Sequence, residues 1–92
     1  MIRRRLTITG RVQGVFYRAW IADQARALGI AGWVRNRADG SVEAVVQGPS
    51  ETVDAILAMA RRGSPASRVS GVVVTDDAPV ETLKGFETRS TV

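Results

Sequence analysis

Two stretches carry side chains able to hold and act on an anion. The first is GRVQGVFYR, residues 10–18. It contains two glycines and two arginines but no His, Cys or carboxylate. Such a stretch, placed between a strand and a helix, offers main-chain N–H groups rather than acids and bases. Glycines let the chain turn sharply, and successive amides then converge on one point, reinforced by the helix N-terminus. Gly10 and Gly14 permit close approach, while Val12, Val15 and Phe16 are apolar and suited to pack inward and stiffen the turn. Arg18 at the helix start can fork two N–H bonds onto two oxygens of a carboxylate or phosphate. The same residues also suit a plain turn with a solvated Arg18, and spacing alone does not choose. The stretch matches neither nucleotide motif: it has no Lys-Ser/Thr pair after the second glycine and no G-x-G-x-x-G.

The second stretch is GWVRNRADGSVE, residues 32–43. Asn36 stands at a strand end just before Asp39-Gly40. An Asn there commonly bonds its own backbone in the turn. Its carboxamide also holds a donor and an acceptor, enough to carry a water and a ligand oxygen together.

Periodicity supplies the elements that must position these groups. Residues 2–9 alternate, with Ile2, Arg4, Leu6 and Ile8 on one face, and predict a half-buried strand whose arginine-rich start is frayed or at an edge. A helix is expected over 19–28, with Ile21, Ala22, Ala25 and Leu28 sharing a face and Gly29 as a left-handed cap. A strand over 31–37 and a return strand over 41–47 flank the Asp39-Gly40 hairpin turn. Val42, Ala44 and Val46 fall on one face of the return strand, and Glu43, Val45 and Gln47 on the other. Ser50 is expected to cap a second helix that carries Val53, Ile56, Leu57 and Ala60 inward and stops at Gly63. Residues 69–75 predict a strand buried on both faces, and residues 86–89 a short final strand. The order β-α-β-β-α-β predicts an α+β two-layer sandwich of ferredoxin-like type: one antiparallel sheet with two helices on one face.

Composition narrows the chemistry. The chain has 92 residues, the size of one domain over 1–92, and 45% of them are apolar, enough for a two-layer core. With no cysteine and no histidine, zinc sites of the usual kind, Ser-His-Asp triads and Cys-His dyads are excluded. Net charge is +4, carried by arginine apart from Lys84, which fits a small phosphate compound or a nucleic acid. Residues 6–9 are too short and polar for a signal segment, and no run approaches membrane-spanning length, so a cytoplasmic chain with no membrane association is expected.

Together the two stretches resemble the acylphosphatases. Residues 10–18 are similar to that family's phosphate-binding loop and arginine, and GWVRNRADGSVEAVVQGP to its second signature. The resemblance spans nearly the whole chain, including SRVSGVVV. It implies hydrolysis of acyl phosphates to a carboxylate and inorganic phosphate, without metal or cofactor. It implies that Arg18 and the loop of Val12, Gln13, Gly14, Val15, Phe16 and Tyr17 bind the substrate phosphate, and that Asn36 positions the attacking water. Some members carry a small hydroxyl residue after the asparagine; here it is Arg37, which adds a second cation at the site mouth if it points inward. An acyl phosphate has a weakly basic leaving group, so the lack of histidine is tolerable, and the water's proton can pass to the substrate's own phosphate oxygen.

Other groups read more plainly. Asp76, Asp77 and Glu81 suit solvated turn residues better than a Mg²⁺ site. Arg3, Arg4 and Arg5 suit a charged strand start, and Arg61 and Arg62 a helix C-terminus. Trp33 is expected to pack on the sheet, and Trp20 to flank the acyl end of the substrate. Two rivals are an RNA-binding sheet and a non-catalytic anion sensor. The first needs aromatics on the central strands, and RLTITG and SVEAVVQG have none. The presence of both Arg18 and Asn36 argues against the second. No nucleic-acid partner is expected, and the chain is expected to be a monomer.

Overall fold

The computed structural model describes residues 1–92. In chain order it runs β1 (Ile2–Arg11), α1 (Tyr17–Ala27), β2 (Ala31–Asn36), β3 (Val42–Gly48), α2 (Ser50–Arg62), β4 (Arg68–Thr75) and β5 (Phe86–Thr88). The sheet order is β4-β1-β3-β2-β5. β1 through β4 pair antiparallel, as expected, and β5 adds to the edge of β2 in parallel. The alternation in β3 decides the layers. Val42, Ala44 and Val46 join Leu6, Ile8 and Val34 beneath both helices, against Ile21, Ala22, Ala25, Val53, Ile56 and Ala60.

Helix ends follow local chemistry. Gly29 (φ +70°) closes α1 with the paired bonds of a Schellman motif: Ile30 N donates to Ala25 O and Gly29 N to Arg26 O. α2 starts at Ser50 rather than after it. Pro49 is the cap, its carbonyl accepting from the N–H groups of Thr52 and Val53, and the Ser50 side chain caps nothing. Proline's fixed φ near −65° suits this entry.

The opposite face of the sheet differs from expectation. Glu43 is 1% exposed at the centre of the sheet. Its carboxylate accepts from Arg35 Nε at 2.7 Å and Arg5 Nη1 at 2.8 Å, with Arg37 Nη1 at 3.4 Å. Three cations satisfy the one buried anion, which makes its burial tolerable. Trp33 is buried on this face, with the guanidinium carbons of Arg35 and Arg89 4.7 and 4.8 Å from its ring centre.

The segment between β4 and β5 crosses the same face. The start of β1 is not frayed, but it does lie at an edge, since β4 pairs only from Arg5 onward; Arg3 pairs with Gln47 of β3, and its side chain donates to the carbonyls of Pro79 and Glu81 and to Gln47 Oε1. The Glu81 carboxylate, read from sequence as solvated, accepts from Trp33 Nε1 at 3.0 Å and from Arg89 at 3.1 and 3.2 Å. β4 is an edge strand rather than one buried on both faces, and Val73 is 61% exposed. Sequence alternation does not reveal strand order, which is what leaves β4 at the rim.

Hydrogen bonds from Arg89 and then from Trp33 hold the Glu81 carboxyl below its ordinary range. A depressed folded value means stability that is present above the unfolded glutamate range and lost as pH falls through the folded value. Thermal unfolding of wild type and Glu81→Gln is therefore expected to differ most near about pH 7 and progressively less as pH falls below the ordinary glutamate value of about 4.3. A gap that stays constant across that window would show that the ionised strap contributes nothing.

Candidate active site

β1 and β2 each pair antiparallel with β3, so they run in the same direction. Ile8 and Asn36 both stand opposite Val42, in one row across three strands. That row places Asn36 roughly 10 Å from Ile8, at two strand spacings. It also puts the end of β2 beside the loop that leaves β1. Alternation then separates neighbours: Asn36 shares the helix-side face with Val34, and Arg37 turns to the far side, toward Glu43 and Asp39. Arg37 does not point inward, so it adds no second cation at the site mouth.

β1 pairs with β4 up to Arg11, with a register shift between Thr9 and Gly10. Gly10 (φ +118°) is required there, since a Cβ would lie 2.2 Å from the Arg68 carbonyl oxygen. Beyond it, Val12 is buried and Val15 packs against the core. Tyr17 is buried too, its hydroxyl donating to Ala60 O at 3.0 Å and tying the first turn of α1 to α2. Burial pushes the Tyr17 phenol far up, so it stays protonated and is no base.

Phe16 does not pack inward. It takes a left-handed conformation (φ 60°, ψ 22°) at the cap of α1 and is 85% exposed. That backbone costs a non-glycine residue about 1–2 kcal/mol. The Phe16 carbonyl accepts from Trp20 N, so the helix starts two residues earlier than its apolar pattern indicated.

The loop leaves its donors free. The backbone N–H groups of Gln13, Gly14, Val15 and Phe16 donate to no backbone acceptor. α1 has no acidic residue in its first turn and no side-chain cap. Its positive end is thus open to an anion. The Arg18 side chain makes no hydrogen bond or ion pair, whereas Arg4, Arg5, Arg26, Arg35, Arg37 and Arg89 all pair with carboxylates. The Asn36 side chain likewise makes no hydrogen bond, and its Oδ1 is a buried acceptor without a partner. An amide torsion is soft, so either end of this group can turn to a guest.

Val12, Gly14, Phe16, Tyr17, Arg18 and Asn36 line one cavity of about 340 Å³, together with Ala19 and Thr88. Gln13 and Val15 do not line it; their side chains hold the loop from behind. Trp20 does not line it either. It packs on Tyr17, ring centres 5.7 Å apart, and faces the turn after α2. Thr88 escaped the sequence reading because only the parallel docking of β5 on β2 brings it here. No group of three or more His, Cys, Asp or Glu side chains is placed to hold a metal ion.

A family model described as Acylphosphatase matches residues 4–88. The chain belongs to the acylphosphatase family. It is 54% identical over 91 residues to an acylphosphatase of Rhizorhabdus wittichii, covering 99% of this chain and 91% of that protein. It is 50% identical over 91 residues to one from an Acidovorax species, covering 99% and 93%. The crystal structure of acylphosphatase from Bacillus subtilis superposes with a TM-score of 0.90 at 35% identity, covering 97% of this chain and 99% of that one.

Within this acylphosphatase-family chain, one side chain joins the two halves of the cavity. Gln13 Nε2 donates to Arg37 O at 2.7 Å and to Ser41 O at 2.8 Å. Both carbonyls belong to the hairpin that carries Asn36, and each already accepts a backbone N–H. The tie fixes the loop against the hairpin. Gln13→Ala is expected to lose about 1–2 kcal/mol of unfolding free energy, read by urea denaturation. Gln13→Glu, whose carboxylate would face two carbonyl oxygens, is expected to lose more at neutral pH. The reverse order would show that the tie is not what holds the two segments together.

Proposed function

We propose that the chain hydrolyses acyl phosphates to a carboxylate and inorganic phosphate, with Arg18 and the loop of residues 12–17 holding the phosphoryl group and Asn36 holding the attacking water. One observation carries this assignment: a guanidinium and a carboxamide, neither with a partner in the protein, line the same cavity.

Phosphoryl transfer asks mainly for positioning and for donors on the equatorial oxygens. Arg18 supplies a fork of two N–H bonds, and the N–H groups of residues 13–16 supply more at the positive end of α1. The water oxygen, held by the Asn36 amide, bonds to phosphorus. The bond from phosphorus to the acyl oxygen breaks, and its electron pair leaves with the carboxylate. No carboxylate or imidazole lines the cavity. The water's proton therefore passes to a phosphoryl oxygen of the substrate. The same donor set argues for catalysis without a metal, because a cavity lined by Arg18 and no carboxylate repels a cation.

The remaining features fit a soluble catalyst acting alone. Only five large apolar residues, Met1, Phe16, Val73, Val80 and Val92, are exposed, which supports a monomer. The absence of cysteine fits a cytoplasmic location. No helix is long and apolar enough to cross a membrane. Trp33, the one aromatic of the four core strands, is buried under Arg35 and Arg89, which argues against a base-stacking sheet.

Arg18→Ala is expected to lower kcat/KM for benzoyl phosphate by at least about 10²–10³, and Arg18→Lys to recover little of it, because an ammonium cannot reproduce the fork. Asn36→Ala is expected to lower turnover far more than it weakens inhibition by inorganic phosphate. Collapse of phosphate affinity with turnover preserved in the Asn36 variant would reverse the two roles.

A further inference from the structure

The cavity is larger than a phosphoryl group needs. Its volume of about 340 Å³ is roughly eleven times the ~30 Å³ share of one water in the liquid. Part of its wall is a side chain that the reaction does not use. Of the four apolar lining residues, Val12 and Tyr17 are buried, while Phe16 and Ala19 are exposed. The open apolar rim is therefore Phe16, with the small Ala19 of the first turn of α1 lining the same cavity.

Phe16 is also the exception among the aromatic residues. Tyr17, Trp33 and Phe86 are buried and Trp20 is half-buried, but the Phe16 ring stands 85% exposed. Its neighbours Val15 and Tyr17 turn inward, and the left-handed backbone at Phe16 turns the ring out beside the cavity. An exposed ring on an unfavourable backbone gains nothing within the chain itself. Strain of this kind concentrates at sites where a ligand is met.

We propose that Phe16 is the acyl-group contact, selecting acyl phosphates whose acyl part is aromatic or an extended apolar chain over those with a short one. The proposal rests on the reading of Arg18 and the loop as the phosphate holder. With phosphorus fixed there, the acyl group projects toward the cavity mouth and covers the ring that water otherwise meets. Ala19 leaves the space beside the ring that such a group requires.

The test compares kcat/KM for benzoyl phosphate and acetyl phosphate in wild type, Phe16→Asn, Phe16→Gly and Phe16→Tyr. Asn and Gly both accept a left-handed φ, so the loop backbone is retained when the ring is lost. Dividing each variant by wild type cancels the intrinsic reactivities of the two substrates. Phe16→Asn and Phe16→Gly are expected to lower the benzoyl value about tenfold more than the acetyl value, the effect of uncovering a ring face. Phe16→Tyr, which keeps the ring, is expected to hold the wild-type ratio. Equal factors for both substrates would overturn the proposal and leave the ring only a part of the loop's shape. Failure of wild type to hydrolyse either substrate would instead overturn the underlying reading of the site.

Discussion

The site depends on hydrogen-bond donors kept without acceptors. Four successive N–H groups in the loop and the guanidinium of Arg18 have no partner in the chain. Left to itself, such a segment would relax toward any nearby carbonyl or carboxylate. It is prevented from doing so from behind. Val12 and Val15 anchor it to the core, Tyr17 ties it to α2, and Gln13 spends both its amide protons on the β2–β3 hairpin. Rigid support under unpaired donors is the arrangement that stabilises developing negative charge without reorganisation at the moment of reaction.

The two faces of the sheet divide the labour of charge. On the far face the arginines are matched: Arg5, Arg35 and Arg37 to Glu43, and Arg89 to Glu81. On the helix side, at the end shared by β1 and β2, no carboxylate approaches Arg18. The strand period of two is what sends Arg37 to the matched face while leaving Asn36 on the other.

Much of this was legible from local pattern. The faces of β3, the cap at Gly29, the Asp39-Gly40 turn and the element order all follow from periods of two and 3.6 residues and from turn chemistry. Arg18 and Asn36 were legible as candidates from their places, at a helix start and at a strand end, and from the resemblance of their two stretches to the acylphosphatases. What was not legible depends on distant contacts. Glu43 finds Arg5 from 38 positions away and Trp33 finds Glu81 from 48, and neither separation leaves a mark in local spacing. The edge position of β4 follows from strand order, and the outward turn of Phe16 from one left-handed residue in a segment whose composition reads as inward packing.

The central claim is that one phosphoryl group is shared by the loop amides and Arg18, within reach of a water on Asn36. A crystal structure with orthophosphate bound tests it most directly. The account predicts phosphate oxygens about 3 Å from the Arg18 guanidinium and from loop N–H groups, with the Asn36 amide close enough to hold a water against phosphorus. Orthophosphate settled on another surface, or Arg18 and Asn36 too far apart to meet one guest, would contradict it.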